Sequence, residues 1–484
     1  MNYTELFVFI VYFVFMLGIG LYFFFKSKGA GEKDYFLGGR KMGAWVSALS
    51  AGASDMSAWV LMGLPASIYA AGMGQTWIAI GLALGYALSW IFEAPRLRRF
   101  SILANDSITI PQYLTNRFKS KSRALQIICA VIFLVAYTVY AASSIKACGT
   151  LFNTVMGINA NTAMYIAALI IVGYTFLGGF SAVCWTDFFQ GLLMLAALLI
   201  APIFALSIIN SGGAAASAEM PSGYWNFADS WQSVVSGLGW GLGYFGMPHI
   251  IVRFMSIRSE KEVRKSSVIG ITWTVVILCF SVAAGAVGRM LLGEIADSST
   301  VFITMVRRIF PAAISGILLS AILAAAMSTA DSQLLASASA FASDVYKPVF
   351  RKKASDKEML WAGRIVVIII AVIALLIASN PASGTIMGLV ENAWGVFGAA
   401  FGPAILLSLF WKRFTFSGAV AGIVAGAGVD ILWLAFLKSS TGIYEIIPGF
   451  IASLILAVVV SLVSPAPSKE VDELFETASC AKNV

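Results

Sequence analysis

Residues Ser47–Trp59 read Ser-Ala-Leu-Ser-Ala-Gly-Ala-Ser-Asp-Met-Ser-Ala-Trp and lie inside an apolar segment that extends from about residue 42 to residue 71. A membrane helix is normally apolar throughout, but this one contains small residues, hydroxyls and the carboxylate of Asp55. An acid at the centre of a membrane helix costs about 2.5–3.5 kcal/mol on insertion scales, which indicates a functional site. Because Gly and Ser favour local breaks, we expect the chain to unwind between Gly52 and Asp55.

Unwinding would free backbone carbonyls, which at membrane depth must face a cavity enclosed by protein. Carbonyl oxygens are good ligands for a hard cation. The alternative is a Gly/Ser kink that packs against a neighbouring helix, with Asp55 capping a helix end. The segment alone leaves both interpretations open.

The composition is that of a polytopic membrane protein. The chain has 484 residues, of which 59% are hydrophobic and 12% charged, and its mean hydropathy is +0.87. Such a chain is long enough for about a dozen spans of ~20 residues. The net charge of +8 fits loops that face an anionic cytoplasmic leaflet, and we expect no binding to nucleic acid.

Apolar runs predict about thirteen transmembrane helices. Their approximate bounds are 5–25, 42–71, 75–95, 124–153, 161–180, 184–210, 231–255, 266–292, 313–344, 359–379, 384–411, 416–437 and 446–464. Lys and Arg are concentrated in the loops after the first, third, seventh, ninth and eleventh spans. The positive-inside rule places these loops in the cytoplasm. We therefore predict a multi-pass protein of the cell membrane with its N-terminus outside and its C-terminus in the cytoplasm.

A second interrupted span covers Gly237–His249, which contains five glycines and Pro248. The two interrupted spans open two blocks of five spans each, 42–210 and 231–411. Because each block has an odd number of spans, the second is inverted in the membrane, and this pattern is typical of transporters. We predict an all-α, LeuT-type 5+5 inverted-repeat core.

The rest of the chain adds to this core within one transporter domain, 1–484. One extra helix, 5–25, precedes the two repeats. Two further helices lie in 416–464, and a cytoplasmic tail covers 465–484.

Four small residues share one helical face in the span 313–344, at positions i, i+3, i+4 and i+7: Ala325, Ser328, Thr329 and Ser332. Such a face is often used for close helix packing. The adjacent hydroxyls also suit a hard cation, which takes several oxygen ligands. The carbonyls of Ala53 and Met56 would then form the opposite wall of a cation site.

Several motifs resemble the solute:sodium symporter family over nearly the whole chain. They are Ser-Ala-Gly-Ala-Ser-Asp-Met-Ser at 50–57, Leu-Gly-Gly-Phe-Ser-Ala-Val at 177–183, Ala-Ala-Ala-Met-Ser-Thr at 324–329 and Ala-Trp-Gly-Val-Phe-Gly-Ala-Ala-Phe-Gly-Pro at 393–403. The sequence is most similar to the bacterial sodium/proline symporters among them. The resemblance implies a Na⁺ site at Ala53, Met56, Ala325, Ser328 and Thr329. It also implies that Asp55 is required for sodium coupling.

A second cation site is a further implication of the resemblance. Some family members have one that combines an acid at the position of Asp187 with hydroxyls on the helix of Ser328. This chain has Asp331 and Ser332 there, and Asp331 replaces an expected hydroxyl. The alternative for Asp187 is an N-cap at the start of the sixth span.

Trp240, Tyr244 and Pro248 are spaced i, i+4 and i+8, which places them on one face of a continuous helix. An aromatic stripe often serves packing, but the neighbouring glycines would leave room for a ligand beside the rings. The resemblance implies that these residues bind L-proline. Three residues of other spans would complete the site, namely Ser57, Trp59 and Tyr140.

The predicted function is Na⁺-coupled uptake of L-proline by alternating access, with Na⁺, L-proline and the bilayer as partners and no obligate protein partner. The alternative is Na⁺-coupled symport of another small solute, such as a different amino acid, a sugar or a carboxylate. A channel would need a polar stripe along a full span, and a sensor would need a cytosolic output domain. We expect no enzymatic activity, because no nucleophile motif or His/Cys/acid constellation is present.

Overall fold

The computed structural model describes residues 2–26, 32–175, 179–212, 220–228 and 230–480. The regular secondary structure of this part of the chain is entirely helical, apart from an isolated β-bridge between Met42 and Ile257. The predicted all-α fold is therefore confirmed. Leu177 and Gly178, which belong to one of the family motifs, lie outside the described residues.

Helices are numbered in chain order. Those of the first part of the chain are α1 (Tyr3–Lys26), α2 (Glu32–Leu37), α3 (Ala44–Asp55), α4 (Gly63–Ala71), α5 (Thr76–Leu88), α6 (Ala94–Leu103), α7 (Ile110–Arg117), α8 (Ala124–Met156), α9 (Ala160–Thr175) and α10 (Phe180–Asn210). Those of the second part are α11 (Trp231–Gly239), α12 (Pro248–Ser256), α13 (Glu260–Leu292), α14 (Val301–Ile309), α15 (Ala312–Ser339), α16 (Asp356–Ser379), α17 (Ile386–Phe410), α18 (Phe416–Phe436), α19 (Lys438–Thr441), α20 (Ile446–Val463) and α21 (Lys469–Cys480).

Ten helices of the described ranges are long and apolar enough to cross a membrane. α9 is apolar but shorter. The two remaining predicted spans, 42–71 and 231–255, are each divided into two short helices. The chain is thus a multi-pass membrane protein, while thirteen remains a predicted number of spans.

Both predicted interruptions are present, but the first begins later than expected, because Gly52–Asp55 is still helical and the break covers residues 56–62. In the first, α3 ends at Asp55 and α4 begins at Gly63. In the second, α11 ends at Gly239, a 3-10 segment covers Trp240–Phe245, and α12 begins at Pro248. Proline suits the first turn of a helix because the N–H that it lacks would have no partner there. Each interruption places non-helical backbone deep inside the bundle.

Glycines bring the second interrupted helix close to its neighbours α5 and α17. A Cβ atom on Gly241 would lie 2.4 Å from the carbonyl oxygen of Gly81 on α5. A Cβ atom on Gly243 would lie 1.9 Å from Nε1 of Trp394 on α17. A larger residue at either position would therefore force the helices apart.

α15 is buried along most of its length and packs against α3, α8 and α10. Its small residues allow the first interrupted helix to approach closely. The face that carries Ser328 and Thr329 is therefore held against the end of α3, at the centre of the bundle.

Five short helices of the described ranges lie outside the predicted spans: α2, α7, α14, α19 and α21. The last of these lies within the predicted tail, 465–484. The ring of Phe475 lies 5.6 Å from that of Phe100 on α6, and the guanidinium of Arg117 on α7 lies 5.0 Å from the Phe475 ring. The tail is therefore folded against the end of the bundle that carries the basic loops.

Asp106 connects the loop between α6 and α7 to the basic segment that follows α1. Arg40 Nε donates to Asp106 Oδ1 at 2.9 Å, and Lys33 forms an ion pair with the other carboxylate oxygen. Partial burial would raise the pKa of Asp106, but the bonds from Lys33 and Arg40 outweigh it and lower the pKa below its ordinary value. These ion pairs therefore persist at neutral pH.

Candidate functional site

The hydroxyls of α15 meet the end of α3 in a fully buried position. Ser328 Oγ lies 2.8 Å from the carbonyl oxygen of Ala53 and 3.1 Å from that of Ala325. Thr329 Oγ1 lies 3.5 Å from the same Ala53 oxygen. Two hydroxyls and two carbonyls, each from a residue with no exposed surface, therefore converge on one place. This is a donor set suited to a small hard cation.

The Ala53 carbonyl is available because the helix ends just beyond it. In a continuous helix the N–H of Ser57 would donate to Ala53, but it donates to the carbonyl of Asp55 instead, at 2.8 Å. Met56 closes the last turn by donating its N–H to Gly52 at 2.8 Å, so its own carbonyl lies beyond the helix end. At the predicted site the end of α3 thus supplies the carbonyl of Ala53, which accepts from Ser328 instead of from a backbone N–H.

Asp55 is surrounded by residues that the sequence assigned to a substrate site. Tyr244 donates its hydroxyl to Oδ2 of Asp55 at 2.5 Å. The indole N–H of Trp59 and the hydroxyl of Tyr140 both donate to the Asp55 carbonyl, at 3.1 and 3.4 Å. The carboxylate of Asp55 caps neither α3 nor the 3-10 turn at residues 58–60, because neither has a side-chain hydrogen bond at its cap. Asp55 therefore links the first interrupted helix to the second.

Ser57 lies at the same break. It is 1% exposed, and its hydroxyl has no hydrogen-bond partner among the described residues. An unpaired buried hydroxyl is free to bind a ligand. The structure therefore places Ser57 beside Asp55, as the substrate prediction requires.

Trp240, Tyr244 and Pro248 do not share one helical face. Their spacing would place them on one face only if the segment were a continuous α-helix. Residues 240–245 form a 3-10 helix, and Gly246 and Met247 separate it from Pro248. Pro248 instead borders a cavity of about 30 Å³, room for one or two waters. Trp240 and Tyr244 remain buried, at 3% and 0% exposure.

Trp394 of α17 fills the space that the glycines were expected to leave. Its indole N–H donates to the carbonyl of Trp240 at 2.8 Å. Its ring stands edge-on to that of Tyr244, with 5.0 Å between centroids. The ring of Tyr444 lies 5.1 Å from that of Trp240. Trp394 lies in the motif 393–403, which carried the family resemblance without a role for this residue, and nothing in the sequence pointed to Tyr444.

Asp187, Asp331 and Ser332 are brought together, as a second cation site would require, but Arg253 lies among them. Arg253 Nη2 is 3.0 Å from Asp187 Oδ2 and 2.6 Å from Ser332 Oγ. Arg253 Nε donates to Ser50 Oγ at 3.0 Å, and Ser50 Oγ lies 2.7 Å from Asp187 Oδ2. Arg253 is 2% exposed and both aspartates are 0% exposed. The guanidinium is thus the cation of this buried cluster.

The N-cap alternative for Asp187 is wrong. α10 begins at Phe180, with Gly179 as its N-cap, so Asp187 lies two turns inside the helix. Arg253 was missed although the sequence held a signal for it. A single arginine inside the predicted span 231–255 is as unusual as the acid at Asp55.

His249 joins the same two interrupted helices at another point. The hydroxyl of Tyr137 on α8 accepts from the backbone N–H of His249 at 2.9 Å and lies 3.2 Å from Nδ1. Nε2 of His249 lies 3.1 Å from the carbonyl of Ser54. The only histidine of the chain is therefore a hydrogen-bonded link between α3, α8 and α12.

Sequence comparison identifies close relatives. The profile of the Sodium:solute symporter family matches residues 35–426. The osmoregulated proline transporter OpuE of Bacillus subtilis is 43% identical over 475 residues, 96% of each chain. The high-affinity proline transporter PutP of Bacillus subtilis is 44% identical over 95% of this chain and 98% of its own. A sodium/proline symporter of Staphylococcus aureus is 42% identical over 97% and 95%.

Structural comparison identifies the same kind of fold. A Na⁺-coupled sialic acid symporter in a substrate-bound outward-open state has a TM-score of 0.78 with 21% identity, over 97% of this chain and 99% of its own. MhsT in complex with L-phenylalanine has a TM-score of 0.54 with 14% identity, over 87% of this chain and 97% of its own. These similarities confirm the predicted LeuT-type fold.

Proposed function

The chain belongs to the sodium:solute symporter family, and we propose that it takes up L-proline together with Na⁺ by alternating access in the cell membrane. The relatives named for proline cover nearly the whole chain at 42–44% identity. The positive-inside pattern supports an outer N-terminus and a cytoplasmic C-terminus. The two inverted repeats, 42–210 and 231–411, would form the moving parts.

The observation that carries the proposal is the contact between the hydroxyls of α15 and the freed carbonyl of Ala53. Na⁺ would be held by the carbonyls of Ala53, Met56 and Ala325 and by the hydroxyls of Ser328 and Thr329. The Ser328 hydroxyl donates to carbonyls here, so its hydrogen would turn away when a cation binds. This ties Na⁺ binding to the ordering of the break after α3.

The buried cluster around Arg253 supports a stoichiometry of one Na⁺ per transport cycle. Arg253 pairs directly with Asp187 and donates to Ser332, so its guanidinium occupies the place where a second Na⁺ would bind. A guanidinium cannot lose its proton in a protein, so this charge is permanent. We therefore propose that Asp187, Asp331 and Ser332 orient Arg253 rather than hold a second Na⁺.

Proline would lie between the break at Ala53–Ser57 and the rings of Trp240 and Tyr244. Free N–H groups at the break would bind its carboxylate, and its ammonium would face the rings and the Tyr140 hydroxyl. Trp394 fills the space beside Gly243. Entry of proline therefore requires α17 to move relative to the second interrupted helix.

Trp240→Ala should weaken proline binding severely, whereas Tyr244→Phe should weaken it less. The first change removes the largest wall of the proposed pocket, while the second removes one hydroxyl and keeps the ring. Na⁺ binding should remain measurable in Trp240→Ala, because the cation ligands lie on other helices. Equilibrium binding of labelled proline and of Na⁺ tests this. Equal losses in the two variants would contradict the proposed placement.

Asp55→Asn should insert normally but lose most Na⁺-driven uptake. The amide keeps the shape of the side chain and can still accept the Tyr244 hydroxyl, so only the negative charge near the cation is removed. The measurement is proline uptake into proteoliposomes as Na⁺ is varied. Near-normal uptake at low Na⁺ would show that the carboxylate serves structure alone.

The experiment that tests the whole proposal is uptake of labelled proline by proteoliposomes with and without an inward Na⁺ gradient. Uptake above equilibrium should require the gradient. Unlabelled amino acids, sugars and carboxylates then compete with proline. Stronger inhibition by a sugar or by a long-chain amino acid would identify a different substrate for the same sodium-coupled machinery.

A further inference from the structure

A buried group of charged residues lies where α17, α18, α19 and α20 meet, and the transport proposal does not use it. Glu391 is near the start of α17, Asp430 near the end of α18, Lys438 on α19, and Glu445 directly before α20. We call these four residues the Asp430 cluster. It lies at the end of these helices away from the basic loop between α17 and α18, and therefore at the proposed outer side.

The Asp430 cluster has more negative charge than its one cation can balance. Lys438 Nζ lies 2.9 Å from Glu391 Oε1 and 2.9 Å from Glu445 Oε2. The side chain of Glu391 is 25% exposed, so water also solvates it. Asp430 and Glu445 are both 0% exposed. Lys438 therefore pairs with Glu391 and Glu445, and no described residue forms an ion pair with Asp430.

Asp430 has no partner for its charge. Neither of its carboxylate oxygens accepts a hydrogen bond from any described residue, and Oε1 of Glu445 also lacks one. Leaving a buried carboxylate ionised without such bonds costs several kcal/mol. The usual relief is to neutralise the group.

The side chains of Asp430 and Glu445 both lie against Gly395 of α17. A Cβ atom on Gly395 would lie 2.8 Å from Oδ1 of Asp430 and 3.4 Å from Cγ of Glu445. A larger residue at position 395 would therefore displace the Asp430 carboxyl group. A proton on either carboxyl would provide an O–H donor for the oxygens of the other.

We propose that Asp430 and Glu445 bind one proton between them, taken from the solution at this end of the molecule, and that the packing of α17 against α18 and α20 depends on it. Hydronium gives up the proton, and one carboxylate becomes a carboxylic acid. Since water solvates Glu391, the one proton and Lys438 together balance the two buried carboxylates. The groups that face Asp430 are Glu391 from α17, Lys438 from α19, and Tyr444 and Glu445 from the start of α20.

The proton site is connected to the wall of the proposed substrate pocket. Gly395 directly follows Trp394, whose indole N–H donates to the Trp240 carbonyl. Tyr444 lies against the Trp240 ring and donates its hydroxyl to the carbonyl of Glu391 at 2.8 Å. The described packing of α17 therefore assembles the aromatic wall. Because proline is proposed to bind that wall, its affinity should rise when the proton is bound; this step rests on the proposed function.

The proton itself is tested by infrared spectroscopy of the purified protein in lipid nanodiscs, without proline. At about pH 5.5, well above the ordinary range of Asp and Glu, the wild type should show the C=O band of a protonated carboxyl. The band should shift in D₂O and lose intensity in Asp430→Asn, measured as the difference from the wild type, because other buried carboxyls such as Asp55 absorb in the same region. A matched control is Glu294→Gln, an acid at the same end whose side chain is 91% exposed, and it should keep the band. A wild type without the band, or a band whose intensity is the same in the wild type, Asp430→Asn and Glu445→Gln, overturns the proposal.

The connection to the pocket is tested by equilibrium binding of proline at saturating Na⁺. Between about pH 8.5 and about pH 5.5 the wild-type affinity should rise about five-fold or more, the lower range of typical coupling between sites. Asp430→Asn should bind with the same affinity at both values, and Glu294→Gln should behave as wild type. If Asp430 held Na⁺ instead, its variant would change the Na⁺ dependence, and the infrared difference between the wild type and Asp430→Asn would be missing. A wild type that binds no proline would refute the proposed substrate and leave the infrared result intact.

Discussion

Replacing Ser328 and Thr329 together by alanine should lower Na⁺ affinity about 100-fold or more. Two of the four oxygens that converge beside Ala53 are their hydroxyls. A bond to a charged group contributes about 1.5–3 kcal/mol, so the loss of two corresponds to about 3–6 kcal/mol. Half-maximal Na⁺ concentration for proline uptake and direct Na⁺ binding both measure the effect. The variant should still reach the membrane, because both substitutions keep a small residue on a helix.

Ser320→Ala is the matched control for that double variant. Ser320 is buried on the same helix, but its hydroxyl bonds only the Gly316 carbonyl, one turn earlier, at 2.8 Å. Its substitution should leave the Na⁺ dependence unchanged. If the double variant also keeps wild-type Na⁺ dependence, the cation is bound elsewhere.

Arg253→Gln should destabilise the protein by about 3–5 kcal/mol, the range for breaking a buried ion pair by removing one partner. The change leaves Asp187 and Asp331 buried without their cation and removes donors from Ser50 and Ser332. Thermal unfolding of the purified protein and its yield in membranes measure the loss. Proline uptake should fall with them, because the cluster joins α3, α10, α12 and α15.

Two further variants separate the ion pair from general damage. The double variant Arg253→Gln, Asp187→Asn should lose less stability than the two single variants lose together, because both charges of the pair are gone. Arg253→Lys should recover only part of the stability, since an ammonium lacks the planar fork that reaches Asp187 and Ser332 together. A stable Arg253→Gln variant that now requires two Na⁺ per proline would show that this cluster is a cation site.

The existence of both interruptions and the shared face of the hydroxyl pair were predictable because each depends on local chemistry, although the first break begins only after Asp55. Gly, Ser and Pro favour a break in a helix whatever surrounds it. Positions i, i+3 and i+4 share a face of any α-helix. Asp55 was also recognisable as a candidate site residue, because it is an acid in an otherwise apolar segment. These features need no knowledge of the neighbouring helices.

The residues that pack against each helix face could not be derived from the sequence in the same way. Spacing locates Trp240 and Tyr244, but Trp394 reaches them from more than 150 residues further along the chain. The error over Pro248 arose because a 3-10 segment changes the number of residues per turn. Arg253 was visible as a lone charge, yet its role required knowing that Asp187 and Ser332 face it.

The buried pair of Asp187 and Arg253 also constrains the order in which the protein can be built. Asp187 is synthesised with the last helix of the first repeat, whereas Arg253 follows some 66 residues later in the second. During translation the first repeat must enter the membrane with an acid whose counter-charge does not yet exist. Neither repeat can complete its interior alone, so the transporter becomes a finished fold only when the two halves close on each other.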